Sequence, residues 1–206
     1  RIPLDPGLSP QKNAAKYFKD YKKSHTAEQT LTELTRRDEQ ELIYFDSVLD
    51  SISRSRTKAE ITEIREELTA GGYLKSPASK PKKAQAPVIR EYKSAEGYRI
   101  IVGKNNRQND YITTTLAAKN DLWFHTKNIP GSHVVVMCGG KEVSDETLIY
   151  AATLAAENSS AAAGAQVPVA YTPIKFVKKP NGAKPGMVIY TTNKTLYVTP
   201  DNGGKL

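Results

Sequence analysis

The chain has 206 residues, of which 38% are hydrophobic and 25% charged, a balance that fits one or two domains with a thick core in only part of the chain. Thirty Lys and Arg against 22 Asp and Glu leave a net charge of +8, which favours polyanionic partners because neutralised phosphates release counterions. A single cysteine, Cys138, excludes an internal disulfide and argues against a disulfide-stapled secreted module, and no apolar run approaches the ~20 residues that span a bilayer.

No secretory signal opens the chain, which begins at Arg1 rather than Met. The expectation is a piece of a longer cytoplasmic protein, with cell-surface exposure as the alternative and no membrane insertion. Between Gln11 and Ala70 lie 60 residues without Gly or Pro. Ser9 and Pro10 supply an N-cap and a first helical residue, and Gly71-Gly72 ends the stretch. Such a length predicts a coiled coil or helical arm. Leu31, Leu34, Phe45, Val48 and Ile52 match a heptad seam that Asp38 and Glu41 interrupt. Thr57-Lys58-Ala59-Glu60 is a capping box, so a break is expected at Ser53–Arg56 and a second helix to about Ala70, with Ile61, Ile64 and Leu68 on its apolar face. A helix with so narrow a stripe needs a partner, either upstream chain or a second copy. Residues 1–74 form this arm, and a basic linker (75–90) follows with Lys75, Lys80, Lys82, Lys83 and Arg90 and no acid, readable as a solvated tether or as a phosphate-touching strap.

From residue 91 to 206 the pattern becomes that of an α+β module with a mixed or antiparallel sheet and two helices packed on one side. Strands are expected at Tyr98–Val102, Asp121–Lys127, Ser132–Met137, Val167–Val177, Met187–Thr191 and Thr195–Val198. Helices are expected from Asn106 to Ala118 and from Ser144 to about Ala163, the latter closed by Gly164.

Three clusters could carry function. On β alternation Asp121, Trp123, His125 and Lys127 share one face, with Leu122 and Phe124 turned to the core. Trp and His can stack on an unpaired base, Lys can meet phosphate and Asp can accept from a base edge; the competing reading is a core tryptophan and a structural histidine. Ser132 and His133 follow Pro130-Gly131 in a tight connection that is either a phosphate nest or an ordinary turn. Lys104, Asn105, Asn106, Arg107, Gln108 and Asn109, two cations and four amides, stand at a helix start, where free N–H groups and the dipole favour phosphate, or simply cap the helix. A further basic cluster, Lys175, Lys178 and Lys179 with Lys184, interleaves with Tyr171 and Phe176 as in single-strand binders. His125, His133 and Cys138 lack metal-ligand spacing, no phosphate-binding loop or dinucleotide fingerprint occurs, and a Ser132/His/Asp121 triad lacks its strained elbow. The expectation is a binding module without catalytic residues, metal or cofactor.

Gly103-Lys104-Asn105-Asn106 through Asp110-Tyr111-Ile112-Thr113, then Asp121-Leu122-Trp123-Phe124-His125 and Pro130-Gly131-Ser132-His133-Val134, resemble the NFACT-R domain. Leu4-Asp5-Pro6, Asn13-Ala14-Ala15-Lys16-Tyr17-Phe18, Tyr21-Lys22-Lys23 and Glu63-Ile64-Arg65-Glu66-Glu67-Leu68 resemble the coiled-coil region upstream of it in the same proteins. The family comprises RqcH in bacteria and NEMF in eukaryotes, and its streptococcal members are often called fibronectin- or fibrinogen-binding proteins. The resemblance implies a ribosome-associated quality-control factor. Such a factor binds a large ribosomal subunit holding a stalled peptidyl-tRNA and recruits alanyl-tRNA for alanine tailing. The arm would reach along the ribosome and the NFACT-R part would contact RNA. The family's NFACT-N and helix-hairpin-helix parts are not in this sequence, so the piece alone is expected to lack full tailing activity. The alternative from the same resemblance is a surface module that binds fibronectin or fibrinogen.

Overall fold

The computed structural model describes residues 2–75 and 87–200. Lys80, Lys82 and Lys83 of the expected strap lie outside the described residues. The chain divides into two compact units, Arg1–Ile43 and Tyr44–Leu206.

Helix α1 spans Pro10–Arg54. Its start is fixed by local polar chemistry, since Ser9 Oγ accepts from Lys12 N at 3.3 Å and buried Asn13 donates to the Asp5 carbonyl at 2.9 Å and accepts from Asp5 N at 2.8 Å. After the break, α2 spans Lys58–Ala70 and opens on the expected capping box of Thr57 and Glu60. Its buried residues are Glu60, Ile64 and Glu67. The apolar face expected from Ile61, Ile64 and Leu68 is therefore corrected: Ile61 is 40% exposed, and the inward face carries two carboxylates. Ile64 packs with Tyr44 and Val48 of α1, backed by Phe45, Leu68 and Tyr73.

The remainder of the second unit is built on a six-stranded sheet in the order β1-β2-β4-β3-β5-β8. These strands are β1 (Arg90–Lys93), β2 (Arg99–Val102), β3 (Leu122–Thr126), β4 (Val134–Val136), β5 (Val167–Pro173) and β8 (Lys194–Val198), and all neighbours pair antiparallel. A short ribbon pairs β6 (Val177–Lys178) with β7 (Ile189–Tyr190). The α+β class with an antiparallel sheet is as expected. Strand β1 was not anticipated: Arg90 reads as the end of the linker and Glu91-Tyr92-Lys93 as the unassigned start of the module until Arg99 to Val102 pair with them.

The two helices do not share a side. Helix α4 (Asp145–Glu157) lays Ala151, Ala152, Leu154, Ala155 and Ala156 on the face formed by Ile100, Val102, Phe124, Val134, Val136 and Val169. Helix α3 (Asn106–Tyr111), with the π-helical turn Ile112–Leu116 that continues it, covers the opposite face, where Ile112 meets Ile101, Trp123, Val135 and Ile174. Sequence alternation explains this: Ile100/Val102 and Ile101 project to opposite faces, and both are apolar, so both faces need a cover. Helix α4 also stops at Asn158 rather than near Ala163, because Ser159 bridges to Gly131 and Ser132 N donates to the Asn158 carbonyl at 2.8 Å.

Candidate nucleic-acid interface

The structure brings the Lys104–Asn109 loop and the Pro130–His133 connection together at one end of the sheet, beyond the last residue of β2 and the first of β4. Both depend on glycine at a close approach. A Cβ on Gly103 would lie 2.8 Å from Asn109 N, and one on Gly131 would lie 2.8 Å from Ser159 Cβ. Asn109 joins the two segments: its Oδ1 accepts from His133 N at 2.9 Å and its Nδ2 donates to the Gly131 carbonyl at 3.3 Å. Backbone N–H groups that would make a phosphate nest are thus already paired within the fold, Ser132 N to Asn158 and His133 N to Asn109. An ordinary turn is what these residues build.

The helix start is occupied by carboxylates of the same unit. Lys104 Nζ pairs with Glu60, Asn105 Nδ2 and Gln108 Nε2 both donate to Glu63 Oε2 at 2.7 Å, and Arg107 Nη1 donates to Glu66 Oε2 at 2.6 Å. Buried Glu67 accepts from Asn106 Nδ2 at 3.2 Å and from the Tyr44 hydroxyl at 2.8 Å. At the base of α1, Arg54 holds Asp50 at 2.6 Å and donates to Ser132 Oγ at 3.2 Å. Burial pushes the Glu60 carboxyl up, but Lys104 and the backbone N–H groups of Arg56 and Thr57 outweigh it and hold the group at about 2. For Glu67 burial wins and the carboxyl is raised, although Tyr44 and Asn106 oppose it.

Asp121, Trp123, His125 and Lys127 do not form an open face. Trp123 is 0% exposed and packs in the α3-side core. Its ring stacks on His125 at 5.7 Å and meets His133 edge-on at 5.1 Å, while the two imidazoles lie 5.3 Å apart. Thr113 Oγ1 lies 2.8 Å from His133 Nδ1. Asp121 is buried at the other end of β3, where it accepts from Ala118 N at 2.7 Å and Gly139 N at 2.8 Å; it holds two loops and is remote from both imidazoles. Lys127 is partly buried beyond Thr126, and its N–H donates to the Pro168 carbonyl at 2.8 Å. The expectation of a shared binding face fails because α3 and the π-turn cover this side of the sheet.

Of the later lysines, Lys175 lies 5.3 Å over the Phe176 ring, Lys178 is exposed, and Lys179 pairs with Asp110. Sequence reading overlooked Arg54, Glu63, Glu66 and Glu67 as functional partners, whereas Asn106 and Gln108 were part of the expected helix-start cluster. A signal was available: Glu60, Ile64 and Glu67 stand at i, i+4 and i+7, which puts carboxylates on the inward stripe of α2.

This polar joint gives a direct expectation. Glu67→Ala removes the acceptor of two buried donors, which costs about 1–3 kcal/mol, whereas Glu33→Ala in the exposed Glu33–Arg36 pair of the first unit should fall within about 0.5 kcal/mol of wild type. Urea unfolding of the two variants measures the difference.

Residues 1–87 match the NFACT N-terminal and middle domains, and residues 88–192 match the NFACT protein RNA binding domain. The chain is 47% identical over 203 residues to the Rqc2 homolog RqcH of Bacillus subtilis, covering 97% of this chain and 35% of that protein. It is 45% identical over 201 residues to the RqcH of Streptococcus suis, covering 97% and 36% respectively. The chain thus spans about a third of the length of these relatives. Among solved structures, the C-terminal part of the fibronectin/fibrinogen-binding protein from Streptococcus suis superposes with a TM-score of 0.85 at 44% identity, over 94% of this chain and 77% of that one. With both segments matched in order along the chain, this protein belongs to the NFACT family.

Proposed function

We propose that this chain is the RNA- and ribosome-binding portion of a ribosome-associated quality-control factor, one that engages the large subunit and recruits alanyl-tRNA for alanine tailing. The observation that carries the reading is the match of residues 88–192 to an RNA-binding domain; the +8 charge and the RqcH relatives agree with it. The piece acts by binding and not by catalysis, and its place of action is the cytoplasm. The long helix of the first unit is the return strand of a coiled coil. Phe18, Tyr21, Leu31 and Leu42 are each more than 60% exposed on it, which is apolar area that upstream chain would cover. A second copy is the alternative occupant, and concentration-dependent dimerisation in sedimentation would identify it.

The test is binding of labelled tRNA and purified large subunits between 50 and 300 mM salt, with fibronectin in parallel because a similar protein carries that name. RNA affinity should fall steeply with salt, since each neutralised phosphate adds about 0.7–0.9 to the log–log slope. A Lys104/Lys127 double alanine variant separates the motif end of the sheet from the rest of the surface. Fibronectin binding without any RNA signal would overturn the reading.

A further inference from the structure

The joint between α2 and the sheet closes one end of the sheet, and the other end carries a row of exposed cations. At that end the antiparallel order gathers residues that are far apart in sequence. Lys93 closes β1 opposite Arg99, which opens β2. The Arg99 carbonyl accepts from Met137 N at 2.9 Å, just before the turn Cys138-Gly139-Gly140-Lys141, where both glycines have positive φ (61° and 86°) and Lys141 N donates to the Cys138 carbonyl at 3.1 Å. The same turn is tied to the start of β3 through Gly139 N and Asp121 Oδ1 at 2.8 Å. Next to it, Lys175 N donates to the Lys119 carbonyl at 2.9 Å, at the far end of β5. Lys194 opens β8, two residues in from this rim, opposite Tyr171.

Lys93, Arg99, Lys119, Lys141, Lys175 and Lys194 are all exposed. Against them stand Glu91, which pairs with Arg99, Glu96, which accepts from Ser144 N at 3.1 Å and from its hydroxyl at 2.6 Å, and the buried Asp121. Glu142, Asp145 and Glu146 stand before and at the start of α4; Lys119, Lys175 and Lys194 lie on the β3, β5 and β8 side, away from α4's first turn. Six strands about 4.8 Å apart spread these cations over roughly 24 Å. Lys175 rests on Phe176, and Arg99 meets Glu91 and, at 3.6 Å, Met137 Sδ.

We propose that this rim is where RNA lies: a phosphate-backbone contact at the sheet end opposite the root of the arm, read by charge and not by base edges. This rests on the RNA-binding reading above and changes its location. The conspicuous Asp121–Lys127 and Pro130–His133 segments shape the core, and of the six rim cations only Lys175 stands in a cluster that the sequence marks. The chemistry favours a nucleic-acid backbone over an acidic protein because the cations come from separate loops in a line about as long as several nucleotides. Few aromatics stand exposed beside them, so stacking contributes little, and the contact should be indifferent to sequence.

The experiment is tRNA binding by the whole chain with Lys93, Lys119, Lys141, Lys175 and Lys194 changed to glutamine, beside a Lys12/Lys16/Lys19/Lys23→Gln variant carrying a similar loss of charge in the first unit. Thermal midpoints of both are compared with wild type, and poly-glutamate is run as competitor. The rim variant should keep its midpoint, lose at least tenfold in affinity at 100 mM salt, and lower the salt slope by about 3–4. If wild type binds tRNA and the rim variant binds equally, or if the first-unit variant loses as much, the rim location is wrong while the RNA reading stands. Competition by poly-glutamate as strong as by RNA would mean an acidic protein is the partner. If wild type binds no RNA at all, both readings fall.

Discussion

Replacing Trp123 by alanine should lower the unfolding free energy by about 3–5 kcal/mol, the range for deleting a buried aromatic. The ring is fully buried, with Ile101, Ile112, Val135 and Ile174 in one cluster around it and Tyr190, His125 and His133 against its faces and edge. Its Nε1 finds no acceptor among the described residues, so Trp123→Phe should cost far less: it keeps most of the apolar contact and removes an unsatisfied donor. Urea unfolding gives both numbers. RNA affinity measured where each variant is still folded should stay near wild type, because Trp123 reaches no surface. A variant with an unchanged midpoint and weakened RNA binding would instead restore Trp123 as a stacking residue.

The same ring shows how far the sequence could be read. The β alternation from Asp121 to Lys127 was legible, and so was the strand. What alternation cannot reveal is that the face opposite Phe124 is also covered. Leu122 and Phe124 look like one core and Trp123 like an exposed aromatic only if the sheet is taken as having a single dry side. The run Ile100-Ile101-Val102 and the run Val134-Val135-Val136 carried the missing information, since consecutive apolar residues mean two buried faces. Capping was read more easily because it is local: Ser9 before Pro10 and the Thr57/Glu60 box both stand where the sequence put them. Strand β1 and the early end of α4 were not readable, because each is decided by a partner distant in sequence, Arg99–Val102 for one and Gly131 for the other.

The Lys104–Asn109 loop was legible in its chemistry and not in its ligand. Cationic and amide groups at a helix start favour anions, and anions are what they hold. The ligands are the carboxylates of Glu60, Glu63, Glu66 and Glu67, delivered by a helix forty residues upstream in sequence. An intramolecular carboxylate needs no binding from solution, so it displaces an expected phosphate whenever the fold supplies one nearby. This also makes the joint between α2 and the sheet mostly polar, with Tyr44, Val48 and Ile64 as its small apolar centre.

That joint and the histidines behind it predict the second large effect, a loss of stability in mild acid. Burial pushes His125 down to about 4 and lowers His133 well below the ordinary imidazole value; the charge of Arg54 adds to the first and that of His125 to the second, with the Gly131 and Thr126 carbonyls opposing at His125. The unfolded chain takes up these protons near 6.5, whereas the folded chain holds His125 neutral until about 4 and His133 neutral well below its ordinary value. Stability is therefore complete above pH 6.5 and declines as pH falls from 6.5 toward 4, by up to about 3 kcal/mol for His125 alone, with His133 acting in the same direction. Below 4.5 the loss of the Glu60 carboxylate, held at about 2, extends the decline, while Glu67, whose value is raised, offsets part of it. Between pH 7.5 and 5 His125 should remove about 2 kcal/mol, which by itself lowers the thermal midpoint by roughly 4–8 °C, and His133 acts in the same direction. His133→Asn cannot take up the proton, so its midpoint, lower at pH 7.5, should fall less over that interval than wild type. A wild-type midpoint that does not move between pH 7.5 and 5 would mean that both imidazoles accept protons inside the folded domain, despite the burial of His133 and the stacking of His125 on Trp123.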